Sequence, residues 1–285
     1  MIKKIIGQTY IWLILILMYL PILVLIAFSF TDAVYVGQWT GFTFDLYPRL
    51  FQNEAIMVAL GNTIIIAICS ALVSTLLGTL GAIGAFYTKK RNRKIIDSIT
   101  QIPIVNAEIV MALSLTILFV FLGSLISDET NLFSFWTLLI GHVVLSLPFV
   151  YISVKPKLQQ MDPSLYEAAL DLGCTPSKAL HKVVLPEILP GILSGFMLAI
   201  TLSLDDFIIT AFTRGSGLLN GDGTIETLST LIQATIKKRP VPPEMRALTT
   251  LIFLCVVIAV ILVSFYRYAN EKKKTSNKSL RRVSR

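Results

Sequence analysis

Six stretches of this chain stay apolar for about twenty residues or more: 9–30, 57–86, 103–126, 132–154, 188–212 and 247–268. A helix of that length matches the hydrocarbon thickness of a bilayer. Composition agrees, because 54% of the 285 residues are hydrophobic and only 15% are charged, against about 25% charged in soluble domains. The pattern predicts an all-α, polytopic membrane protein with six transmembrane helices. The runs that exceed about 25 residues leave room for tilt or for extension beyond the lipid.

The net charge is +8 and the pI about 9.4. In a soluble protein such a balance would suggest nucleic acid, but here the cations fall in the connections. With the N-terminus inside, the inner segments hold 19 of the 25 Lys and Arg residues and the outer segments 6. The positive-inside rule then puts both termini in the cytoplasm. The tail 271–285 carries seven Lys or Arg residues and no apolar run, which suits an extended segment on anionic inner-leaflet lipid rather than nucleic acid. Lys3 and Lys4 precede an apolar run longer than the roughly 7–15 residues of a signal peptide core, so the first block reads as an uncleaved span. Cys69, Cys174 and Cys255 fall in a span, an inner loop and a span, so no disulfide is expected. No Cys or His pair has ligand spacing, so no metal site is expected either.

Small residues recur one turn apart in two spans: Ser70, Ser74 and Gly78, then Gly81 and Gly84, in the second, and Gly191 and Gly195 in the fifth. Such stripes let helices approach closely in lipid, either inside one subunit or at a seam with another. Of the outer segments, 31–55 is aromatic around Trp39, with Gly37 and Gly41 flanking it, and 127–131 is a short turn with Asp128 and Glu129. In 213–246, Ile225, Leu228, Ile232 and Ile236 recur at helical spacing. They predict a short amphipathic helix, as an interfacial element or a docking surface.

The polar connection 155–187 is the most specific part of the chain. Asp162-Pro163 is a helix start, with Asp as a cap and Pro in the first turn. Leu165, Ala168, Ala169 and Leu172 make one apolar stripe, and Gly173 suits a helix end that needs positive φ. Thr175-Pro176 starts a second helix, which Leu180, Val183 and Val184 continue until Pro186 stops it. Glu167, Ala168, Ala169, Gly173, Leu185 and Pro186 fit the pattern E-A-A-x3-G-x9-I-x-L-P, with Val183 where Ile is usual. This resembles the EAA loop of ABC-importer permeases, the binding-protein-dependent transport family. The resemblance implies a type I importer permease with a MetI-like fold, whose first loop helix, 163–172, is a coupling helix seated in a partner ATPase. It extends over about residues 5–268. The stretches 103–119 and Leu202-Ser203-Leu204-Asp205-Asp206-Phe207 look like the spermidine/putrescine permeases of the PotC type. The stretch 214–224 departs from them, being longer and richer in Gly. The implied organisation is a permease domain over 1–270 and a basic tail over 271–285.

No G-x-x-x-x-G-K-[ST] phosphate loop and no Ser-His-Asp arrangement is present, so no catalytic residue is assigned. His142 lies in a span and His181 in the inner loop. ATP and Mg would be bound by partners: two ATPase subunits, beside a second homologous permease subunit and an extracytoplasmic polyamine-binding protein. Within the spans the ionisable residues are Asp205, Asp206 and Glu108. Carboxylates there are costly and face a bundle interior or a water-filled cavity. Asp205 and Asp206 point about 100° apart on a helix, so one is expected to line a path and the other to cap or pair locally. Phe207 and Tyr151 are candidate aromatic partners for ammonium groups. The expected function is polyamine import across a bacterial cytoplasmic membrane. Thiamine, ferric ion, an aminophosphonate or a sugar are alternative cargoes. An ion-gradient carrier is a rival class, though no repeated halves are visible.

Overall fold

The computed structural model describes residues 2–33, 35, 37–126, 133–215, 224–237, 242–258 and 261, with side chains from residue 6 onward. The chain divides into two units, Met1–Glu54 with Thr235–Arg285, and Ala55–Ala234. The connection 127–131, most of the glycine-rich stretch 214–224, the end of the expected sixth span and the tail 271–285 lie outside the described residues.

The first unit holds α1 (Ile2–Phe28) and α2 (Leu46–Gln52), and residues 244–258 are helical. Arg49 Nη1 pairs with Asp32 Oδ1 at 2.8 Å, and buried Arg246 donates to the Ala33 carbonyl. Four further helices of the chain are long and apolar enough to cross a membrane beside α1, giving five among the described residues.

The second unit contains those four. Helix α3 (Glu54–Tyr87) is followed by α4 (Lys90–Val105), α5 (Glu108–Ile126) and α6 (Phe135–Gln160). After α7 (Ser164–Asp171) come α8 (Pro176–Ala179), a π-helical turn over Leu180–Val184, and α9 (Leu185–Asp205). The unit closes with α10 (Ile208–Thr213) and α11 (Leu228–Ile236). Helix α6 is the hub. Ser134 caps its start with a reciprocal pair of hydrogen bonds to Thr137, which satisfies two donors that lipid could not.

The small-residue stripes are spent on α6 in part, because a Cβ at Gly84 would meet nothing within 4 Å. A Cβ at Gly78 would stand 2.9 Å from Val150 Cβ, one at Gly191 would stand 2.9 Å from the Ser153 carbonyl, and one at Gly195 would stand 3.1 Å from Val150 Cα. Helices α3 and α9 therefore approach α6 almost to backbone contact, within a single subunit. Ser70 and Ser74 are buried as well, but as hydrogen-bonding groups. Ser74 Oγ lies 2.6 Å from Ser146 Oγ on α6.

Four expected boundaries are corrected. The third span does not begin at 103. Asn106 turns extended, with ψ 146°, and separates amphipathic α4 from α5. The fifth span is not continuous to 212, because it breaks at Asp206, whose ψ is 127°. Pro186 does not stop a helix. The Leu185 N–H reaches back five residues to the Leu180 carbonyl, and this π-turn absorbs the bond that proline cannot make. Pro186 then lies in the first turn of α9, where no intrahelical donor is needed. Finally, Ile225 precedes α11 instead of lying on it, and is buried with Ile66 and Leu138.

The close approach of α3 to α6 yields a prediction. Gly78→Val would overpack a seam in which even a Cβ would stand only 2.9 Å from Val150 and should destabilise the protein by about 1–3 kcal/mol. Thermal unfolding of the detergent-solubilised protein checks it. An unchanged midpoint would mean that α3 and α6 are not held this tightly.

Candidate functional site: a carboxylate-lined cavity and a seated loop

Two helix breaks meet at one cavity of about 490 Å³. From the first break come Pro103, Ile104, Asn106 and Glu108, and from the second Leu202, Asp205, Asp206, Phe207 and Ile208. Met111, Leu145 and Phe149 supply apolar wall. Of the candidate pathway residues, the structure thus gathers Glu108, Asp205, Asp206 and Phe207. It does not bring Tyr151 to them. Tyr151 is 3% exposed, and its hydroxyl donates to Asp97 Oδ1 on α4 at 2.6 Å.

The two adjacent aspartates have different tasks. Asp206 is 4% exposed and caps α10. Its Oδ1 accepts from the Ile209 N–H at 3.2 Å, and its Oδ2 accepts from the Thr210 N–H and hydroxyl, both at 2.8 Å. These are the orphan amides of a helix start, and no water is available in lipid to meet them. Asp205 ends α9 and remains exposed to the cavity. Glu108 opens α5 and lines the same cavity.

Behind Asp206 lies a buried polar chain that sequence spacing does not reveal. Thr210 Oγ1 is 3.0 Å from His142 Nε2, and His142 Nδ1 is 2.7 Å from Ser203 Oγ. Ser70 donates to Ser203 at 3.1 Å. Donor counting fixes the directions. The carboxylate only accepts, so the single Thr210 hydroxyl proton points to it. Thr210 Oγ1 then accepts from Nε2–H, and in a neutral ring Nδ1 accepts from Ser203. His142 is 1% exposed, and its neighbour Gly141 allows the close fit of α10. A Cβ there would come within 2.6 Å of Ile209 Cγ2. A polar tie also reaches α11, where the Ser229 hydroxyl donates to the Asp206 carbonyl at 2.6 Å. Nearby, Leu228 N–H donates to Thr63 Oγ1 at 2.9 Å, and Asn62 Nδ2 donates to the Glu226 carbonyl at 3.0 Å.

The 155–187 loop has its own order. Asp162 Oδ1 accepts from the Ser164 N–H at 3.0 Å, and Thr175 caps α8 through the Lys178 N–H. Gly173 has φ +83°. Its N–H donates to the Leu170 carbonyl at 2.9 Å, and the Cys174 N–H donates to the Ala169 carbonyl at 3.0 Å. This is a Schellman ending, which requires the left-handed conformation at Gly173. The expected stripe is divided between two faces. Ala169 is buried, while Leu165, Ala168 and Leu172 face outward, Leu172 being 86% exposed. Glu167, Gly173 and Pro186 are exposed too. Leu185 and Tyr166 pack on a core that includes Val154, Leu158, Val184 and Ile188. Tyr166 also meets Tyr87, at the end of α3, with ring centroids 5.3 Å apart. The loop is therefore seated on α3, α6 and α9 through one face and presents the other.

Beside that seat, Lys155 Nζ lies 2.7 Å from Asp97 Oδ1. Burial pushes the Asp97 carboxyl up, but the hydrogen bonds from Lys155 and Tyr151 and the charges of Lys155 and Arg93 outweigh it. They hold Asp97 below the usual carboxylate range.

The family described as binding-protein-dependent transport system inner membrane component matches residues 75–275. The spermidine/putrescine transport system permease protein PotC of Escherichia coli (strain K12) is 32% identical over 257 residues, covering 90% of this chain and 91% of that protein. The putrescine transport system permease protein PotI of the same strain is 33% identical over 260 residues, covering 90% and 88%. Among solved structures, a bacterial ABC transporter involved in the import of the acidic polysaccharide alginate superposes with a TM-score of 0.67 at 16% identity. It covers 93% of this chain and 95% of its own. The alginate transporter in complex with a pentasaccharide-bound periplasmic protein gives 0.69 at 20% identity, with 90% and 91% covered. These two show a shared fold.

The unequal aspartates can be told apart by stability. Asp206→Ala should lower stability by about 0.5–2 kcal/mol, as the loss of a helix cap does, whereas Asp205→Ala should leave the thermal midpoint unchanged. Equal effects would contradict the assignment. For Asp97 the folded pKa lies below the unfolded one, so its contribution is present above the unfolded value, about 3.9, and fades as pH falls through the lowered folded value. Comparing the pH dependence of unfolding in the parent and in Asp97→Asn isolates it: the acid-side slope should shrink in the variant.

Proposed function

This chain belongs to the binding-protein-dependent transport system inner membrane components, multi-pass permease subunits of ABC importers, and we propose that it carries polyamines, spermidine or putrescine, into the cytoplasm. The observation that carries this reading is the cavity between the broken helices. It offers the carboxylates of Glu108 and Asp205 among the rings of Phe149 and Phe207. Ammonium groups are met there by opposite charge and by aromatic faces. Two carboxylates on separate helices suit a cation with more than one charged end. The names of the permeases that resemble the chain at 32–33% identity point to the same cargo.

In this reading both termini and the 155–187 loop face the cytoplasm, as the Lys and Arg distribution supports. The outward apolar face of α7, with Leu165, Ala168 and Leu172 beside Glu167, enters a cleft on an ATPase subunit, in the manner of a helix in a groove. Two ATPases, a second permease of the same fold and an external polyamine-binding protein complete the machine. ATP is hydrolysed by the partners. ATP binding draws the two α7 helices together, and their seats on α3, α6 and α9 turn the cavity outward. His142 acts by position. It holds Thr210 and the Asp206 cap, and so keeps Asp205 aimed into the path. Ser229 adds a tie from α11 to the same break.

The test is uptake of labelled spermidine and putrescine in cells with and without the gene, in a background free of other polyamine importers. Deletion should abolish uptake. Asp205→Asn, at normal protein level, should lower it about tenfold or more, as the loss of a charge-assisted contact does. Full uptake after deletion would move the cargo to thiamine, ferric ion, an aminophosphonate or a sugar. A second prediction concerns the loop. Gly173→Val places a β-branched residue at φ +83°, so it should lose ATPase association and uptake together while the permease still inserts. Retained association would remove α7 from the coupling role.

A further inference from the structure

Helix α4 meets the rest of its unit through Arg93, Ile96 and Asp97, whose spacing puts them on one helical face. Arg93 lies over the Phe86 ring at the end of α3, 5.2 Å from its centroid. Ile96 packs on the core that holds Val154 and Leu158. Asp97 takes two donors from α6 on its Oδ1, the Tyr151 hydroxyl at 2.6 Å and Lys155 Nζ at 2.7 Å. Tyr151 and Lys155 are four residues apart, so α6 also presents them on a single face.

This grip differs from a surface ion pair. Asp97 and Lys155 are 20% and 24% exposed, against 44% and 48% for Asp32 and Arg49, so solvent screens their attraction less. Tyr151 is buried, and its ring lies beside α3, where a Cβ at Gly81 would stand 3.9 Å from it. Without the carboxylate, a buried site would hold a hydroxyl that has lost its acceptor. Apolar burial does less for α4, because within this chain none of its residues is buried.

Six residues beyond Asp97, or about 9 Å at the helical rise, α4 reaches the cavity. Pro103 and Ile104 line it there, followed by Asn106 and Glu108. Pro103 offers no N–H to the helical ladder, so the end of α4 is held less well by its own backbone than the middle, where Asp97 sits.

We propose that Asp97 is a positioning residue for transport, a role that presupposes the import reading of the cavity. Gripped by Tyr151 and Lys155, it pins α4 to α6 and so sets the place of the Pro103–Glu108 wall. Asp97 is not among the residues that line the cavity, so it acts through α4 and not by contact with cargo.

The test uses the assembled importer, with Cys69, Cys174 and Cys255 replaced by Ser. Spin labels are placed on Gln101→Cys in α4 and Trp136→Cys in α6, both exposed positions. The parent should give one narrow distance between the labels. In Asp97→Asn and in Lys155→Met, the population at a second distance should rise about tenfold, as the loss of a charge-assisted hydrogen bond allows. Polyamine uptake per assembled importer should fall with it. Asp97→Glu keeps the charge and should restore both. Tyr151→Phe removes one donor only and should give a smaller shift, which serves if Asp97→Asn does not assemble. An unchanged distance in these variants overturns the proposal, as does a changed distance with full uptake. The distance does not depend on the cargo. If gene deletion leaves polyamine uptake intact, the polyamine reading fails by itself, and the spin labels still decide whether Asp97 places α4.

Discussion

A helix that stops inside a membrane leaves amide hydrogens and carbonyls that hydrocarbon cannot satisfy, and the whole second unit is arranged around one such stop. At Asp206 the chain leaves α9, and a carboxylate supplies what the missing turn would have supplied. It accepts from the Ile209 and Thr210 amides and from the Thr210 hydroxyl. Such a cap works only if the carboxylate is held, and the holding falls to His142, itself fixed by Ser203 and Ser70. Once Asp206 is occupied in this way, Asp205 is left to the cavity. The break thus turns two chemically identical neighbours into a structural group and a cavity-lining one.

The same economy appears at the loop. A short helix on a polar connection has no stability of its own, yet α7 is ordered at both ends, by Asp162 and by the Gly173 turn. It is also pinned along one face by Ala169 and Tyr166. Leu165, Ala168 and Leu172 remain exposed on its other side. An element rigid on its inner side and apolar on its outer side is suited to transmitting force from one polypeptide to another.

Much of this was legible in the sequence because it depends on local rules. The apolar runs marked the five helices that are long and apolar enough to cross a membrane among the described residues. Asp162-Pro163, Gly173 and Thr175-Pro176 announced their turns through capping and backbone chemistry, and each is found as a cap or a left-handed end. What was not legible depends on partners distant in sequence. His142 and Asp206 are 64 positions apart, and nothing in their spacing joins them. Ser70 and Ser74 look like small packing residues until Ser203 and Ser146 are seen opposite them. Tyr151 has the chemistry of a cation-binding ring, but Asp97 claims its hydroxyl. The breaks at Asn106 and Asp206 escape hydropathy, since a discontinuous helix is as apolar as a continuous one. Pro186 misleads for a related reason. A proline stops a regular α-helix, but a π-turn placed before it lets the axis continue.

These features also indicate where such a unit can bend. Along α6 the glycines of α3 and α9 bring backbones so close that sliding would meet immediate clashes, with Cβ positions only 2.9–3.1 Å from Val150 and Ser153. Interiors packed to that density move as bodies and do not deform continuously. Helix α6 reaches from Leu158, in the seat of the loop, to His142, at the clamp on Asp206. That distance is 16 residues, or about 24 Å at the helical rise. Pro148 and Pro156 lie within that stretch, so its hydrogen-bond ladder is interrupted between the seat of the loop and the clamp. The compliant points that remain are the extended residues Asn106 and Asp206, where no continuous helical ladder crosses. Both border the cavity, where the extended backbone brings Glu108 and Asp205 from separate helices to one wall.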